Sequence, residues 1–470
     1  MRRTVYLFLA VIFLFDLGAL AQERRVDLAV DRIGLFRQQV DEIESTFGRT
    51  DHRLVEAYHE LSIELVSASL FDEADEALSR AIQLVRHLEG IYTPAQIPLQ
   101  LRRLETLGSA GNWRDVRERS PHLVWLLEGL LDGSLHEPLG ESLGESLQEG
   151  VTPFEDSIPF TLTTLADLHL RGVTRDTPVT QAHHFNEAER INQLAIDVAY
   201  EVWGESDTRV AGLLYRRVLQ NFMQAEVVRI GGESALTLRR YSDSGLAKTR
   251  NEALKDYYLS GLMLLAEIRN LYAGQPQPDL EAIGLADVYI ADWQVIFGNP
   301  EAADQAYKRA NDLLLTAGME QTAINRFFAS PMLLPVPDFH AGVDAAMAAA
   351  ATHEIGEGPA EPSPLLIFRQ WSAAFPYVIT SMLNVRTEPG GPGVIYSFHL
   401  AGLDAVRRWH RDRYEKSVSE ARHLERVSET FDQPVGDELE RVIMDFRFRP
   451  RLVDGVPQPV NAYLVYQAFR

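Results

Sequence analysis

The sequence contains no cysteine. That absence excludes disulfides, thiolate metal sites and cysteine nucleophiles at once. Positive charge is also short: Lys plus Arg number 45 against 67 Asp plus Glu, a formal net charge of -22. Duplex nucleic acids are held largely by cations that displace counterions, so a deficit of this size argues against a nucleic-acid binder. Past the amino-terminal segment no apolar run approaches the ~20 residues of a spanning helix, which excludes a multi-span membrane protein. Hydrophobic residues at 46% and charged residues at 24% sit at globular averages, so wholesale disorder and collagen are excluded as well. A chain of 470 residues is long enough for several domains and a sizeable core.

What is present begins with a leader. Arg2 and Arg3 form a positive start, and Val5 to Phe15 is almost wholly apolar apart from Tyr6. Asp16 breaks the run, and Ala19-Leu20-Ala21 offers the small-x-small pattern that a signal peptidase accepts. Residues 1–21 therefore read as a signal peptide cleaved after Ala21, giving a mature start at Gln22. The alternative is a leader retained as an anchor. No cysteine follows the small residues, so a lipidated anchor is excluded. The expected location is outside the inner membrane, in the periplasm of a double-membraned bacterium.

The negative charge is concentrated. Residues 366–470 carry 14 basic and 13 acidic side chains and residues 1–21 a net of +1, which leaves -24 on residues 22–365. Composition breaks near 331–365, where Pro331, Pro335 and Pro337 precede an Ala-rich patch and then Gly356, Gly358, Pro359, Pro362 and Pro364. Clustered Pro and Gly mark boundaries. The expected organisation is an acidic helical region at 22–330, a connector at 331–365 and a mixed α+β region at 366–470.

Across 33–330 apolar residues recur at i, i+3, i+4 and i+7, the helical period. Leu54, Tyr58, Leu61 and Leu65 form one stripe; Ala74, Ala77, Leu78, Ala81 and Ile82 form the next, with Asp72 as the expected N-cap. This two-helix unit resembles a tetratricopeptide repeat, through Tyr58, Leu61, Phe71, Ala74, Leu78 and Ala81. Trp113-Arg114-Asp115-Val116 repeats the layout of Phe71-Asp72-Glu73-Ala74 after 42 residues, and Phe185-Asn186-Glu187-Ala188 repeats it after 72 more, with Ala195 seven beyond Ala188. That spacing is about two units of the ~34-residue period plus insertion. Asn299-Pro300 opens a further second helix carrying Ala303, Tyr307 and Ala310. The resemblance implies stacked helical hairpins with a curved groove that binds peptides or protein surfaces; a generic helical bundle is the alternative. Two polar stretches, near 131–157 and 231–251, read as loop insertions; the first holds the tandem Gly140-Glu141-Ser142-Leu143 and Gly144-Glu145-Ser146-Leu147. The acidic surface favours a basic or mixed-charge partner, or serves solubility alone.

The tail changes period. Val394, Tyr396 and Phe398 alternate as in a strand, Ala421 to Glu429 reads as another, and Leu439, Val442, Ile443 and Phe446 mark a short helix. Then follow Phe446-Arg447-Phe448-Arg449-Pro450, the turn Asp454-Gly455 and a closing strand from Val460 to Phe469. Their order resembles the TonB carboxy-terminal domain, on the signature Phe446, Phe448, Arg449, Pro450, Asp454 and Gly455. In that family the domain contacts outer-membrane receptors, partly by strand addition. A Pro-rich spacer behind an anchor is missing here, so the tail reads as a binding domain, docking through the edge of its last strand.

Chemistry-bearing patterns are few. His353-Glu354 begins like a zinc-protease helix, with no second His. His183-His184 are neighbours that face different ways on a helix, so no two-His site is expected of them. Trp409-His410-Arg411-Asp412-Arg413-Tyr414 reads as a solvated helix face. No catalytic, cofactor or metal residue is assigned. The expected fold is mainly α, a tetratricopeptide-like solenoid followed by a small TonB-C-like α+β domain. The expected function is a periplasmic, non-enzymatic scaffold that holds a protein or peptide in its groove and docks a second, envelope partner through its tail. A membrane-anchored TonB-like transducer and a hydrolase with a repeat-borne site are the alternatives.

Overall fold

The computed structural model describes residues 32–131, 153–177, 180–231, 249–329, 331–352, 377–382, 393–403, 405–410, 413–429, 440, 443–444 and 446–468. The leader, the tandem Gly-Glu-Ser-Leu stretch, most of the polar stretch after Gly231, His353-Glu354 and residues 353–376 lie outside the described residues. The chain is mainly α-helical. Among the described residues no helix is long and apolar enough to cross a membrane. Contacts divide the chain into two compact units, Met1–Leu168 and His169–Arg470.

In the first unit α1 (32–47) precedes α2 (Arg53–Ser67), α3 (Phe71–Glu89), α4 (Ile97–Ser109) and α5 (Trp113–Leu131). From α2 to α5 each helix packs on the next. The core contains Leu54, Ala57, Leu61, Leu65, Ala74 and Ala77, and Leu78, Ala81, Ile82 and Val85 pack with Leu99. Asp72 does not cap α3 as expected. The helix starts two residues earlier, at Phe71 behind Leu70, and Asp72 lies in its first turn, where a carboxylate favours the positive end of the helix dipole. The sixth helix, α6 (Pro153–Arg175), starts within the expected first insertion, so residues 153–157 are helical rather than loop.

The second unit contains α7 (Gln181–Trp203), α8 (Val210–Gly231), α9 (Arg250–Ala273), α10 (Leu280–Ile296), α11 (Pro300–Thr316), α12 (Gln321–Phe327) and α13 (Val343–Thr352). From α7 to α11 consecutive helices again pack in order. Every residue of α10 from Ala282 to Ile296 is buried. A helix apolar on all sides needs cover on all sides, and here α9, α11 and a strand of the tail supply it. Its polar side chains have partners. Asp287 meets Arg269 and Arg309, and Gln294 accepts from Tyr258 and Asn299. Asn299 holds the N-cap position of α11, but its side chain donates to Gln294 instead of capping.

One turn recurs. In α2–α3, α4–α5 and α10–α11 three residues join the helices, and the middle one has positive φ: Ser69 at 60°, Gly111 at 75° and Gly298 at 76°. The same two backbone bonds close each. Leu70 and Ser69 donate to Leu65 and Val66, Asn112 and Gly111 to Leu107 and Gly108, and Asn299 and Gly298 to Gln294 and Val295. This is the Schellman arrangement, in which a left-handed residue lets the last carbonyls of the helix find donors.

The expected connector begins as a strap bound to the helices. In it β1 (Met332–Leu333) pairs antiparallel with β7 (Phe448–Arg449). Tyr215 donates to the Val336 carbonyl at 2.7 Å; Tyr289 donates to that of Asp338 at 2.8 Å and accepts from the His340 N–H at 3.1 Å. These bonds explain why the tail shares a unit with the later helices instead of separating near 331–365.

The tail sheet has the order β2-β10-β3-β6, all antiparallel, from β2 (Tyr377–Met382), β3 (Gly393–Leu400), β6 (Ala421–Glu429) and β10 (Val460–Ala468). The alternation in β3 buries Tyr396, Phe398 and Leu400 with Ile443, Phe446 and Phe448. The last strand is not an edge: β10 runs between β2 and β3, so docking through its free edge is ruled out. The Trp409 to Tyr414 cluster is not helical either. Trp409 and His410 end β4 (Ala405–His410), and Arg413 and Tyr414 open its antiparallel partner β5 (Arg413–Val418), in keeping with the two aromatic residues, while 411 and 412 lie outside the described residues. Two short strands, β8 (Arg451–Val453) and β9 (Val456–Gln458), flank Asp454-Gly455.

The recurring turn gives a paired test. Ser69 occupies a conformation that Gly111 and Gly298 adopt freely, so Ser69→Gly should raise stability by up to ~1 kcal/mol and Gly111→Ala should lower it by about 1 kcal/mol. Urea midpoints measure both.

Candidate functional site

The residues carrying the repeat resemblance are packing residues. Ala74, Ala81, Ala188, Ala303, Tyr307 and Ala310 are fully buried, Leu61, Trp113, Phe185 and Ala195 nearly so, and Tyr58 and Phe71 half-buried. Small side chains at the alanines let paired helices approach closely. Their role is to set where exposed neighbours stand.

In the first unit those neighbours line a pocket of about 450 Å³ formed by α1, the α1–α2 loop, α2 and α3. Tyr58 and Leu84 supply its less polar wall, and Glu44, Arg49, Thr50, Arg80, Gln83 and His87 the rest. The Tyr58 hydroxyl donates to Glu44 at 2.9 Å. Burial, reinforced by that carboxylate, pushes the Tyr58 phenol up to about 12, so it remains a donor throughout the physiological range. Arg49 lies 3.8 Å from Glu44, while Arg80 has no ion-pair partner among the described residues. A chain of net charge -22 thus gathers two guanidinium groups and an imidazole around one concavity.

The same unit exposes an aromatic cluster. Trp125 is 45% exposed, its ring stacked on His122 at 5.6 Å and edge-on to Tyr92 at 5.9 Å, while Leu88 and Ile91 are also exposed. Burial, with the Arg86 charge adding to it, holds the His122 pKa below its ordinary value, which favours the neutral ring.

The tail signature turns inward, toward the helices of its own unit. Arg449 on β7 is 3% exposed and reaches Asp292 on α10, with Nε to Oδ1 at 3.0 Å and Nη2 to Oδ2 at 2.5 Å. Tyr307 donates to the same carboxylate at 2.7 Å, and Met332 Sδ lies 3.3 Å from Arg449 Nη1. Burial alone would lower the Arg449 pKa; the Asp292 charge and hydrogen bonds outweigh it and hold the guanidinium protonated. Asp454 and Asn325 exchange two bonds of 2.9 Å, and any Cβ at Gly455 would stand 2.9 Å from Asn311 Cβ. Phe446 and Phe448 belong to the tail core, and Pro450 is buried between β7 and β8. Five of these six residues are buried, and the exposed one, Asp454, is held by Asn325. Nothing in the sequence pairs Asp292 with Arg449 across 157 positions.

No protein-family model matches the chain. No curated protein sequence matches it. Among solved structures it is similar to one described as the crystal structure of BtubC (BKLC) from P. vanneervenii, at 12% identity, covering 63% of this chain and 92% of that one, with a TM-score of 0.35. A likeness at that score carries no argument about fold or function.

On one face of α2, Glu56, His59 and Glu60 bring a ligand atom each within 4.8 Å of one another. All three come from a single helix at i, i+3 and i+4, the spacing of any solvated helical stripe.

The buried ion pair yields a prediction. Asp292→Ala should cost about 3–5 kcal/mol, because it strands the Arg449 charge in the interior. Asp292→Leu combined with Arg449→Met should recover part of that loss, leaving the Tyr307 hydroxyl to lose its acceptor. Chemical unfolding of both single variants and the double variant measures the coupling.

Proposed function

We propose that the chain is an exported, non-catalytic scaffold for protein–protein contacts, with a tetratricopeptide-like helical array as its binding part and a TonB-C-like tail. The observation that carries this reading is the cation-lined pocket on α1–α3. Three features suit it to polypeptide. Its volume accommodates one or two side chains, its wall mixes Leu84 and Tyr58 with polar groups, and Arg80 is free to pair with an incoming carboxylate. The occupant is an acidic segment of a partner, opposite in sign to the partner that the whole-chain charge suggests, since a local cation cluster decides short-range contact. The exposed Trp125 cluster adds apolar area of the type that anchors interfaces. The thrice-repeated Schellman turn and the buried alanines support the repeat reading.

The tail is the lesser docking element. Of the two edge strands of its sheet, β6 carries two register shifts and the charged residues Arg422, Glu425, Arg426 and Glu429, features that discourage strand addition. Partner binding therefore falls mainly to the helices.

Affinity capture from envelope extract tests the reading, with the intact chain compared against an Arg49→Glu/Arg80→Glu variant. A specific protein should be retained by the first and reduced at least about tenfold by the second, with retention falling as salt rises. An identical set of proteins on both would refute the pocket. Export carries its own test: amino-terminal sequencing of the secreted form should begin at Gln22, and a start at Met1 would instead favour an anchored protein.

A further inference from the structure

The strap of the second unit is held as helices hold an extended peptide. From Leu334 to Gly342 it forms no helix or strand. Helix side chains meet its backbone at every second residue. Tyr215 on α8 binds the Val336 carbonyl, and the Tyr289 hydroxyl on α10 binds both the Asp338 carbonyl and the His340 N–H. Two residues is the repeat of an extended chain. Burial pushes the Tyr215 and Tyr289 phenols above their ordinary value, so both hydroxyls stay protonated and able to donate. The strap's side chains are engaged as well. The Phe339 ring stacks on Tyr272 of α9 at 6.0 Å between centroids, and lies 5.0 Å from Tyr289 and 6.1 Å from Tyr215. Asp338 pairs with Arg216 of α8 at 3.6 Å, and the Val343 N–H donates to Glu281 of α10 at 2.7 Å. The hold is uneven along the strap. Leu334, Pro335 and Val336 are buried, and Leu334 donates to the Arg447 carbonyl at 2.9 Å. Pro337 and Phe339 to Gly342 are only half-buried, Asp338 is exposed, and beneath them Tyr215, Tyr272 and Tyr289 are buried.

From this geometry we propose that Tyr215, Arg216, Tyr272 and Tyr289 form a second polypeptide-binding site, and that residues 337–342 are its intramolecular occupant, keeping it closed. The partner it fits is an extended segment with an aromatic residue directly after an acidic one. The ring enters the tyrosine cluster, the carboxylate meets Arg216, and the backbone takes the place of Asp338 and His340 on the Tyr289 hydroxyl. The site is separate from the α1–α3 pocket and does not depend on it. Three features favour exchange over permanent packing. Residues 337–342 are held by side chains, so no helix or sheet ladder is broken on release. The Arg216–Asp338 pair is partly exposed, and solvent weakens such pairs. Leu334 to Val336 stay seated when the second part lifts, so the β1–β7 pairing and the Asp292–Arg449 fork survive. A tethered occupant competes at an effective concentration on the order of millimolar. That tether sets the affinity a partner must exceed to open the site.

The test titrates the full chain into a fluorescein-labelled peptide of residues 336–342 and reads anisotropy. The unmodified chain should bind it weakly. An Asp338→Ala/Phe339→Ala variant, stripped of its own anchors, should bind at least about tenfold more tightly, because apparent affinity scales with the open fraction. A peptide carrying Phe339→Ala should not bind. Adding Arg216→Glu to the released variant should lose most of the gain, and a peptide carrying Asp338→Lys should restore it, an exchange that a merely structural arginine would not show. Arg49→Glu/Arg80→Glu should leave peptide binding unchanged. Equal binding to the unmodified and released chains would overturn the proposal. So would no binding to a released chain whose far-UV circular dichroism is unchanged, or binding that disappears with Arg49→Glu/Arg80→Glu. Should the released variant unfold, hydrogen exchange on the unmodified chain decides. Saturating peptide should deprotect the amides of residues 338–342 and leave those of 332–336 protected; an unchanged pattern would refute the exchange.

Discussion

The second unit depends on one buried ion pair. α10 has no solvent-facing side, and Asp292 in its middle brings a charge into that interior. An ionised carboxylate there is tolerable only with a full set of donors. Tyr307 supplies one from α11, and Arg449 supplies a fork from the tail. The constraint runs both ways, since Arg449 equally needs the carboxylate to remain charged without water. Helices and tail are thus mutually required partners. The strap at 331–343 adds backbone pairing of β1 with β7 and tyrosine bonds to the same assembly. Pairs of this kind add little net stability over an apolar substitute; what they impose is register, because a guanidinium fork accepts one orientation of its carboxylate.

This constraint separates what was legible in the sequence from what was not. Local signals carried far. The alternation of Tyr396 and Phe398, the stretch from Ala421 to Glu429 and the closing strand after Val460 all lie where periodicity puts them. The helical stripes of Leu54 to Ile82 are buried as a stripe should be. Two of the three-residue turns hold a glycine, Gly111 or Gly298, where a left-handed backbone is needed, whereas Ser69 takes that conformation in the third without one. What sequence could not convey is long-range. The placement of β10 between β2 and β3 depends on hydrogen bonds spanning some eighty residues, and no local pattern distinguishes an edge strand from an interior one here. The same holds for Arg449. Its neighbours fit a motif, yet its partner lies on a helix whose apolar run gave no hint of a tail above it.

Charge was legible in sum and misleading in place. A surplus of carboxylates over the whole chain says nothing about one concavity, because Coulomb interactions at contact are governed by the few groups within a Debye length. Arg49 lies on the α1–α2 loop and Arg80 and His87 on one face of α3, and the geometry of α1 to α3 brings them to the rim of one pocket. The histidines illustrate the same point from the other side. Neighbours on a helix do point apart, as His183 and His184 do in their exposure. The partner that matters for His184 is instead fifteen residues earlier on the preceding helix.

The inward use of the tail signature has a consequence for how such a chain evolves contacts. Residues that look like a recognition motif when read alone are here committed to the chain's own helices: Arg449 to Asp292, Asp454 to Asn325, Gly455 to Asn311. A partner competing for them would have to break a buried, charge-assisted fork and expose α10, which the interior of the unit opposes strongly. Exposed side chains carry no such commitment. Arg80 and Trp125 project from helices whose opposite faces are fixed by packing, so they can change without disturbing the core. The physical separation of a satisfied interior from an unsatisfied, charged rim is what permits one framework to hold its shape while its surface selects a partner.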